Sequence, residues 1–310
     1  MRICIVGCGA VGSLFAAHLA TLADVEVWAY DVSAEHVAAI NDRGLRVTGH
    51  TELVASVRAC SDASAIPACE FGIVATKSMA TEAAIAATAA IFDGGAVCSV
   101  QNGLGNEELI AAHVPRVMRG TTFPSGHLLG PGVVAMDTRG PTTIGPFEER
   151  PASGAEVERL ADAITRGGLP THARADARGA QWTKVIFNAA CNPVGALTGL
   201  PQGRLCELPA ARALMSGLVA EGVAVAAALG IVLEEDPEEV IAHSARVAYE
   251  HRSSMLQDAL ARRPTEIDAL SGAIARLGRE HGVATPLHEA VAALVAGLER
   301  SWALHDGGPG

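Results

Sequence analysis

Lys184, Asn188 and Asn192 stand four residues apart in the segment Trp182-Thr183-Lys184-Val185-Ile186-Phe187-Asn188-Ala189-Ala190-Cys191-Asn192-Pro193. On an α-helix that spacing lines one ammonium and two amides along a single face, while the residues between them are mostly apolar. Polar groups on an otherwise buried helix need partners or a wet cavity. Hydride arriving at the carbonyl carbon of a 2-oxo acid builds an alkoxide, which needs a cation beside it and then a proton. A lysine ammonium supplies both, and the two amides can bind a carboxylate and a hydroxyl. The same spacing also suits an interdomain or subunit hydrogen-bond network, and spacing alone leaves both readings open.

A second group of residues could hold the hydride donor. Gly7-Cys8-Gly9-Ala10-Val11-Gly12 is a G-x-G-x-x-G turn that follows a β-rich run, Arg2–Val6, and opens a helical pattern. Gly7 permits the tight turn, Gly9 lets the backbone approach a pyrophosphate, and Gly12 allows close helix–strand packing. Free N–H groups at the helix start then face the negative charge. Asp31 closes the next strand, 19 positions after Gly12. Its carboxylate can accept ribose hydroxyls and would repel a 2′-phosphate, and no Arg or Lys lies between Val25 and Asn41. That chemistry favours NAD(H). The competing reading is that Asp31 caps the helix that follows Val32-Ser33.

These residues need elements to hold them. Strand-like and helix-like stretches alternate through the first half: strands at Arg2–Val6, Val25–Tyr30, Phe71–Thr76 and Ala96–Val100, and helices at Val11–Leu22, Ala34–Arg43, Met79–Ile91 and Glu107–His113. Alternation of this kind implies parallel pairing through right-handed crossovers, an α/β Rossmann-type domain. Gly132–Met136 and Thr142–Ile144 flank Asp137–Pro141 and suggest a hairpin. From about Ala175 the pattern is helical: Ala177–Leu197, Leu208–Leu229, Glu238–Ala248, Glu266–His281 and Pro286–Leu304. Pro193 should kink or end the first of these. The expected organisation is a dinucleotide-binding domain over 1–174 and an all-α substrate domain over 175–310, with a frayed tail from Asp306.

Composition narrows the function classes. A chain of 310 residues suits about two domains. Its formal charge of −11 disfavours phosphate backbones and anionic lipid, so neither nucleic acid nor membrane is an expected partner. The most apolar stretch, Leu214–Leu233, carries Glu221 and ends in Glu234-Glu235-Asp236-Pro237, which points to a buried helix or a homodimer interface rather than a span. The seven cysteines form no C-x-x-C pair, no His spacing beside them suggests a metal, and Met1–Gly7 has no signal-peptide pattern; reduced thiols in a cytoplasmic protein are expected.

The residues resemble the ketopantoate reductase (2-dehydropantoate 2-reductase) family over essentially the whole chain. The resemblance rests on Gly7-x-Gly9-x-x-Gly12, on Thr76-Lys77 after the third parallel strand, on Gln101-Asn102-Gly103 and on Lys184-x-x-x-Asn188-x-x-x-Asn192-Pro193. It rests also on Ser253-Ser254-Met255-Leu256-Gln257-Asp258 followed by Thr265-Glu266-Ile267-Asp268. It implies a Rossmann domain followed by a helical domain, with the site in the cleft between them, and a reaction of pantothenate biosynthesis. Lys184 would be the general acid, and Glu266 would help hold the lysine and contact the cofactor. Asn102 would sit where nicotinamide and substrate meet, with Lys77 near the cofactor. Asn188, Asn192 and Ser254 would bind the substrate. Two positions depart from the family. NADP(H) is its default, with a basic residue after the second strand where this chain has Asp31. An Asn some eighteen positions after the lysine is replaced by Gln202, which keeps the substrate-binding amide on a longer arm. Two other functions fit: an NAD-dependent 2-hydroxy acid dehydrogenase of the same family acting on another branched or aromatic acid, or a non-catalytic dinucleotide sensor. The sensor would have no reason to keep Lys184, Asn188, Ser254 and Glu266 together.

Overall fold

Short runs of Val, Ile and Cys, fully buried on both faces, can only be strands in the middle of a covered sheet. The computed structural model describes residues 1–306, and the tail from Gly307 lies outside them. The chain forms two compact units: Met1–Gln101 with Gly105–Ala177, and Asn102–Leu104 with the chain from Arg178 onward.

The first unit opens with β1 (Arg2–Val6), α1 (Ala10–Leu19), β2 (Glu26–Tyr30) and α2 (Ala34–Arg43). Three strands follow, β3 (Leu45–Gly49), β4 (Leu53–Ala55) and β5 (Arg58–Cys60). The chain continues through β6 (Phe71–Val74), α3 (Thr81–Thr88), β7 (Ala96–Ser99), α4 (Asn106–Ala111) and β8 (Val117–Thr122). It ends with β9 (Ser125–Gly130), β10 (Val133–Thr138), β11 (Thr142–Pro146), α5 (Gly154–Arg166) and β12 (Thr171–Ala173).

Eight strands make the main sheet in the order β12-β11-β8-β7-β6-β1-β2-β5, and four make a second sheet, β4-β3-β10-β9. β1 pairs in parallel with both neighbours, Ile5 facing Ala29 of β2 and Ile73 of β6. The chain builds outward from β1 on one side and then returns to build on the other. The carboxyl end of β1 is therefore the point where strand order reverses, the place where open α/β sheets bind ligands. Among the described residues, the β8–β11 pairing is the one antiparallel pairing in this sheet, and β12 runs parallel to β11.

The hairpin expected between Gly132–Met136 and Thr142–Ile144 does not form. β10 pairs with β9 and β3 in the small sheet, whereas β11 pairs with β8 and β12 in the large one. The tight turn lies one step earlier, at Gly130-Pro131-Gly132, where Gly132 takes φ +75°. A Gly-Pro-Gly run is the stronger turn signal of the two.

The second unit is helical: α6 (Arg178–Thr198), α7 (Gln202–Glu207), α8 (Pro209–Ala228), α9 (Pro237–Val247), α10 (Ser254–Leu260), α11 (Ala273–Glu280) and α12 (Pro286–Asp306). Its core gathers Ile186, Ala190, Leu218, Val225, Ile274 and Val295. Pro193 does not end α6, which continues to Thr198. The single helix expected over Glu266–His281 is interrupted by a π-helical turn at Asp268–Gly272 before α11 begins.

α8 is the one helix among the described residues long and apolar enough to cross a membrane, and a third of its most apolar window is buried in the fold. The lone carboxylate in it has a local task. Glu221 accepts the N–H groups of Leu287 (2.9 Å) and His288 (3.0 Å), and so caps the start of α12.

His288 is fully buried, with one ring nitrogen on the carbonyl of Leu218 at 3.0 Å. Burial lowers its pKa from 6.5 to about 4, so the folded protein keeps it neutral where the unfolded chain would take up a proton. The stability this contributes is complete above pH 6.5 and is lost as pH falls toward 4, up to about 3 kcal/mol at 1.36 kcal/mol per unit. Urea denaturation between pH 7 and 4 should show that slope, and His288→Gln should flatten it. An unchanged slope in the variant would assign the acid lability elsewhere.

Candidate functional site

The glycine turn sits where β1 ends. Gly7 takes φ +88°, and a Cβ there would lie 2.5 Å from Thr76 Cγ2. A Cβ on Gly12 would lie 2.0 Å from the carbonyl oxygen of Gly7, so nothing larger than glycine fits. Around Gly9 a Cβ would meet nothing within 4 Å. The open face of the turn is thus at Gly9, which also begins α1 without any side-chain cap and with no acidic residue in the first turn. Ala10 and Val11 form the first turn of that helix. An uncapped helix start behind an open backbone cradle fits a pyrophosphate.

Cys8 contributes its backbone, not its thiol, which burial pushes up to about 12. Asp31 Oδ2 accepts the Cys8 N–H at 2.8 Å and Oδ1 accepts the Ser33 N–H at 2.9 Å. The cap of α2 is Ser33, whose hydroxyl accepts the His36 N–H. Asp31 therefore braces the glycine turn, and it stays partly exposed, with lone pairs left for a ligand. Lys77 is exposed just beyond β6, at the start of a short 3₁₀ turn, Ser78–Ala80.

The second unit gathers the lysine, an amide pair and a carboxylate. Lys184 Nζ donates to Asn102 Oδ1 at 3.0 Å. Asn188 Nδ2 reaches the same oxygen at 3.5 Å, and Asn102 Nδ2 donates to Glu266 Oε2 at 3.4 Å. Asn102 thus stands between the ammonium and the carboxylate, with its amide orientation set by both. Glu266 is 6% exposed and Asn188 8%. Asn192, one turn beyond Asn188 on the same face of α6, is 5% exposed.

Burial lowers the Lys184 pKa to about 8, and the charge of Glu266 opposes that fall without reversing it. The lysine can therefore exist in either protonation state near neutral pH, as a proton donor for an alkoxide requires.

Asn102 owes its place to its neighbours. Gly103 takes φ +87°, and a Cβ on it would lie 2.5 Å from the carbonyl oxygen of Ala269. The next N–H, of Leu104, donates to that same oxygen at 2.9 Å. Glu266 is held from behind, because the Thr265 N–H donates to Glu299 Oε1 (2.8 Å) and the Thr265 hydroxyl accepts the Ile267 N–H (3.3 Å). Glu299 is absent from the sequence reading, which gave Gly103 only as part of the Gln101-Asn102-Gly103 motif. The Asn-Gly dipeptide carried a signal for a positive φ; nothing marked Glu299, 34 residues from its partner.

The two adjacent serines separate by role. Ser253 caps α10 by accepting the Leu256 N–H at 3.3 Å. Its hydroxyl lies near Gly195, one turn past Asn192 on α6, where an added Cβ would be 3.5 Å away. That leaves Ser254, half-buried at the first position of α10. Gln202 is 5% exposed and its amide donates to Cys191 Sγ at 3.3 Å.

A glycine turn that fits a pyrophosphate at the switch point of a parallel sheet, on a chain that also carries a lysine of lowered pKa among amides, is the pattern of a dinucleotide-dependent oxidoreductase. Residues 3–149 match the family described as Ketopantoate reductase PanE/ApbA, and residues 176–299 match its C-terminal counterpart. The 2-dehydropantoate 2-reductase of Halobacterium salinarum is 34% identical over 304 residues, covering 97% of this chain and 99% of the relative. The crystal structure of a PanE/ApbA family ketopantoate reductase from Ralstonia eutropha superposes with a TM-score of 0.88 at 31% identity, covering 97% of this chain and 99% of that one. A D-mandelate dehydrogenase solved with NADH and anilino(oxo)acetate gives the same TM-score, 0.88, at 30% identity and the same coverage, 97% and 99%. The chain belongs to the ketopantoate reductase family.

Gly12→Ala should weaken nicotinamide dinucleotide binding by more than about tenfold, because its Cβ displaces the Gly7 carbonyl and with it the turn. Titration of NADH fluorescence measures this, and wild-type affinity in that variant would show that the turn is not the cradle.

Proposed function

We propose that this protein reduces the 2-oxo acid ketopantoate to pantoate, with Lys184 as the general acid. The observation that carries the reading is Lys184 Nζ on Asn102 Oδ1, with Glu266 on the other end of the same amide. When bound on the glycine turn, a reduced nicotinamide dinucleotide supplies the hydride. Lys184 steadies the oxygen on which negative charge develops and passes its proton to that oxygen. Asn102 orients the ammonium, and Glu266 keeps the pair charged in a desolvated place. Asn188, Asn192 and Ser254 offer donors to the substrate carboxylate and hydroxyl, and Gln202 would act through the wall behind them. Lys77 assists at the dinucleotide.

The reading favours NAD(H) over NADP(H). Asp31 already accepts one N–H from the glycine turn and one from Ser33, and it would face a 2′-phosphate as a like charge. A second reading, NAD-dependent oxidoreduction of another branched or aromatic 2-hydroxy acid, draws support from Asp31 and from the likeness to the D-mandelate dehydrogenase solved with NADH. The net charge of −11 supports a small-molecule partner over nucleic acid or an anionic membrane, and a cytoplasmic location goes with this reading. The open apolar face of α8, where Val223 is 37% exposed, supports a homodimer.

Turnover of ketopantoate, an arylglyoxylate and a straight-chain 2-oxo acid with each cofactor separates the two substrate readings. Lys184→Ala should lower kcat by about 10²–10⁴-fold with folding intact; turnover near that of the wild type would reject the assignment. Because reduction needs the ammonium, kcat/KM for reduction should fall as pH rises through about 8, and the reverse oxidation should gain over the same range. NADH should be preferred over NADPH by about tenfold or more, equal to about 1.4 kcal/mol. A preference for NADPH would overturn the role given to Asp31.

A further inference from the structure

Pro193 leaves a gap in the hydrogen-bond ladder of α6. It has no N–H, so the carbonyl of Ala189, four residues back, loses its helical donor. Ala189 is fully buried, which keeps bulk water from filling the gap. The donor comes from outside the helix. Ser271, also fully buried, donates its hydroxyl to the Ala189 oxygen at 3.3 Å.

Ser271 lies in the π-helical turn Asp268–Gly272, where the Gly272 N–H reaches back five residues to the carbonyl of Ile267 at 3.0 Å. Where the turn ends, the Ala273 N–H donates to the Leu270 carbonyl. The Ala269 oxygen then takes the N–H of Leu104. One turn therefore holds three pieces of chain. Ala269 holds the Asn102–Leu104 tripeptide, Ser271 holds α6 between Asn188 and Asn192, and Glu266 stands at the approach to the turn. Single π turns of this kind recur at functional sites because they free backbone groups for other work.

We propose that Ser271 is a positioning residue for the reaction: its hydroxyl stands in for the amide hydrogen that Pro193 lacks and sets the Asn188–Asn192 turn of α6 against the turn that holds Asn102 and Glu266. This rests on the reading of Lys184, Asn102, Asn188 and Asn192 as the substrate-handling set. Ser271 touches no substrate. It acts by fixing where two amides point, and misplacement by a fraction of an ångström is enough to lower a rate.

The test compares Ser271→Ala, Ser271→Thr, Pro193→Ala and the Pro193→Ala/Ser271→Ala double variant with the wild type. Ser271→Ala should raise KM for the 2-oxo acid and lower kcat/KM by about 10- to 30-fold. It should also shift the pH midpoint of kcat/KM, while leaving the Kd for NADH within about twofold. Ser271→Thr keeps the hydroxyl and should restore most of the loss. In the Pro193→Ala background, where residue 193 again has an N–H for the Ala189 carbonyl, removing the Ser271 hydroxyl should cost less than about twofold. Equal losses in the two backgrounds would overturn the proposal, as would a fall in Tm with KM and the pH midpoint unmoved. Should Ser271→Ala fail to fold, the ratio of Pro193→Ala to the double variant, with Ser271→Thr, decides the same question. The coupling is read from Tm as well as from kinetics, so it does not depend on which group donates the proton. Thermal coupling without kinetic coupling would refute the positioning role alone, whereas full turnover in Lys184→Ala would refute the reading beneath it.

Discussion

An ammonium taken out of water is the constraint around which the helical unit is arranged. Burial alone would drive Lys184 toward the neutral amine, and a fully neutral amine has no proton to give. Glu266 restores part of the charge, and Asn102 joins the two as donor to the carboxylate and acceptor from the ammonium. The balance leaves a group that can hold or release a proton near the pH at which proteins work. Two neighbours hold the pieces of that balance in place: a glycine that lets the backbone turn beside Asn102, and a carboxylate at Glu299 that pins the approach to Glu266.

The two units solve different problems with different parts of the chain. The glycine turn offers backbone, because a pyrophosphate needs several N–H groups at close range and any Cβ would stand in the way. The helical unit offers side chains, which on the proposed reading would grip a 2-oxo acid at its carboxylate and at a carbonyl whose charge changes during reaction. Asp31 belongs to the first solution in two senses. It braces the Cys8 N–H, and on the reading proposed above it also meets the ribose, so that cofactor choice and turn geometry would depend on one residue.

Much of this was legible in the sequence. The strand–glycine–helix–strand–acid order from Arg2 to Asp31 follows from local pattern, and the structure has β1, α1 and β2 there. The Lys184, Asn188 and Asn192 face follows from helical periodicity alone, since α6 keeps its repeat through Pro193. What local pattern could not supply were the long-range partners. Asn102 joins the helical unit although it lies 82 residues before Lys184, and no composition change marks that excursion. The hairpin expected around Asp137–Pro141 failed for the same kind of reason: the partner of β10 across the sheet, β3, is distant in sequence, and a nearer Gly-Pro-Gly turn had already paired β10 with β9.

The two irregularities in the helical unit are best understood as one. A proline within α6 and a π turn after Ile267 each leave backbone groups without helical partners, and each would be a defect if it stood alone. Brought together, the carbonyl freed by Pro193 meets the Ser271 hydroxyl, and the carbonyl freed at Ala269 meets the Leu104 N–H. Backbone that is satisfied only by distant segments ties those segments together more specifically than apolar packing can, because a hydrogen bond has a direction and burial has none. Two regular helices would satisfy themselves and could slide over one another. Two interrupted helices must meet in one register, and that register is the one in which Asn102, Lys184 and Glu266 converge.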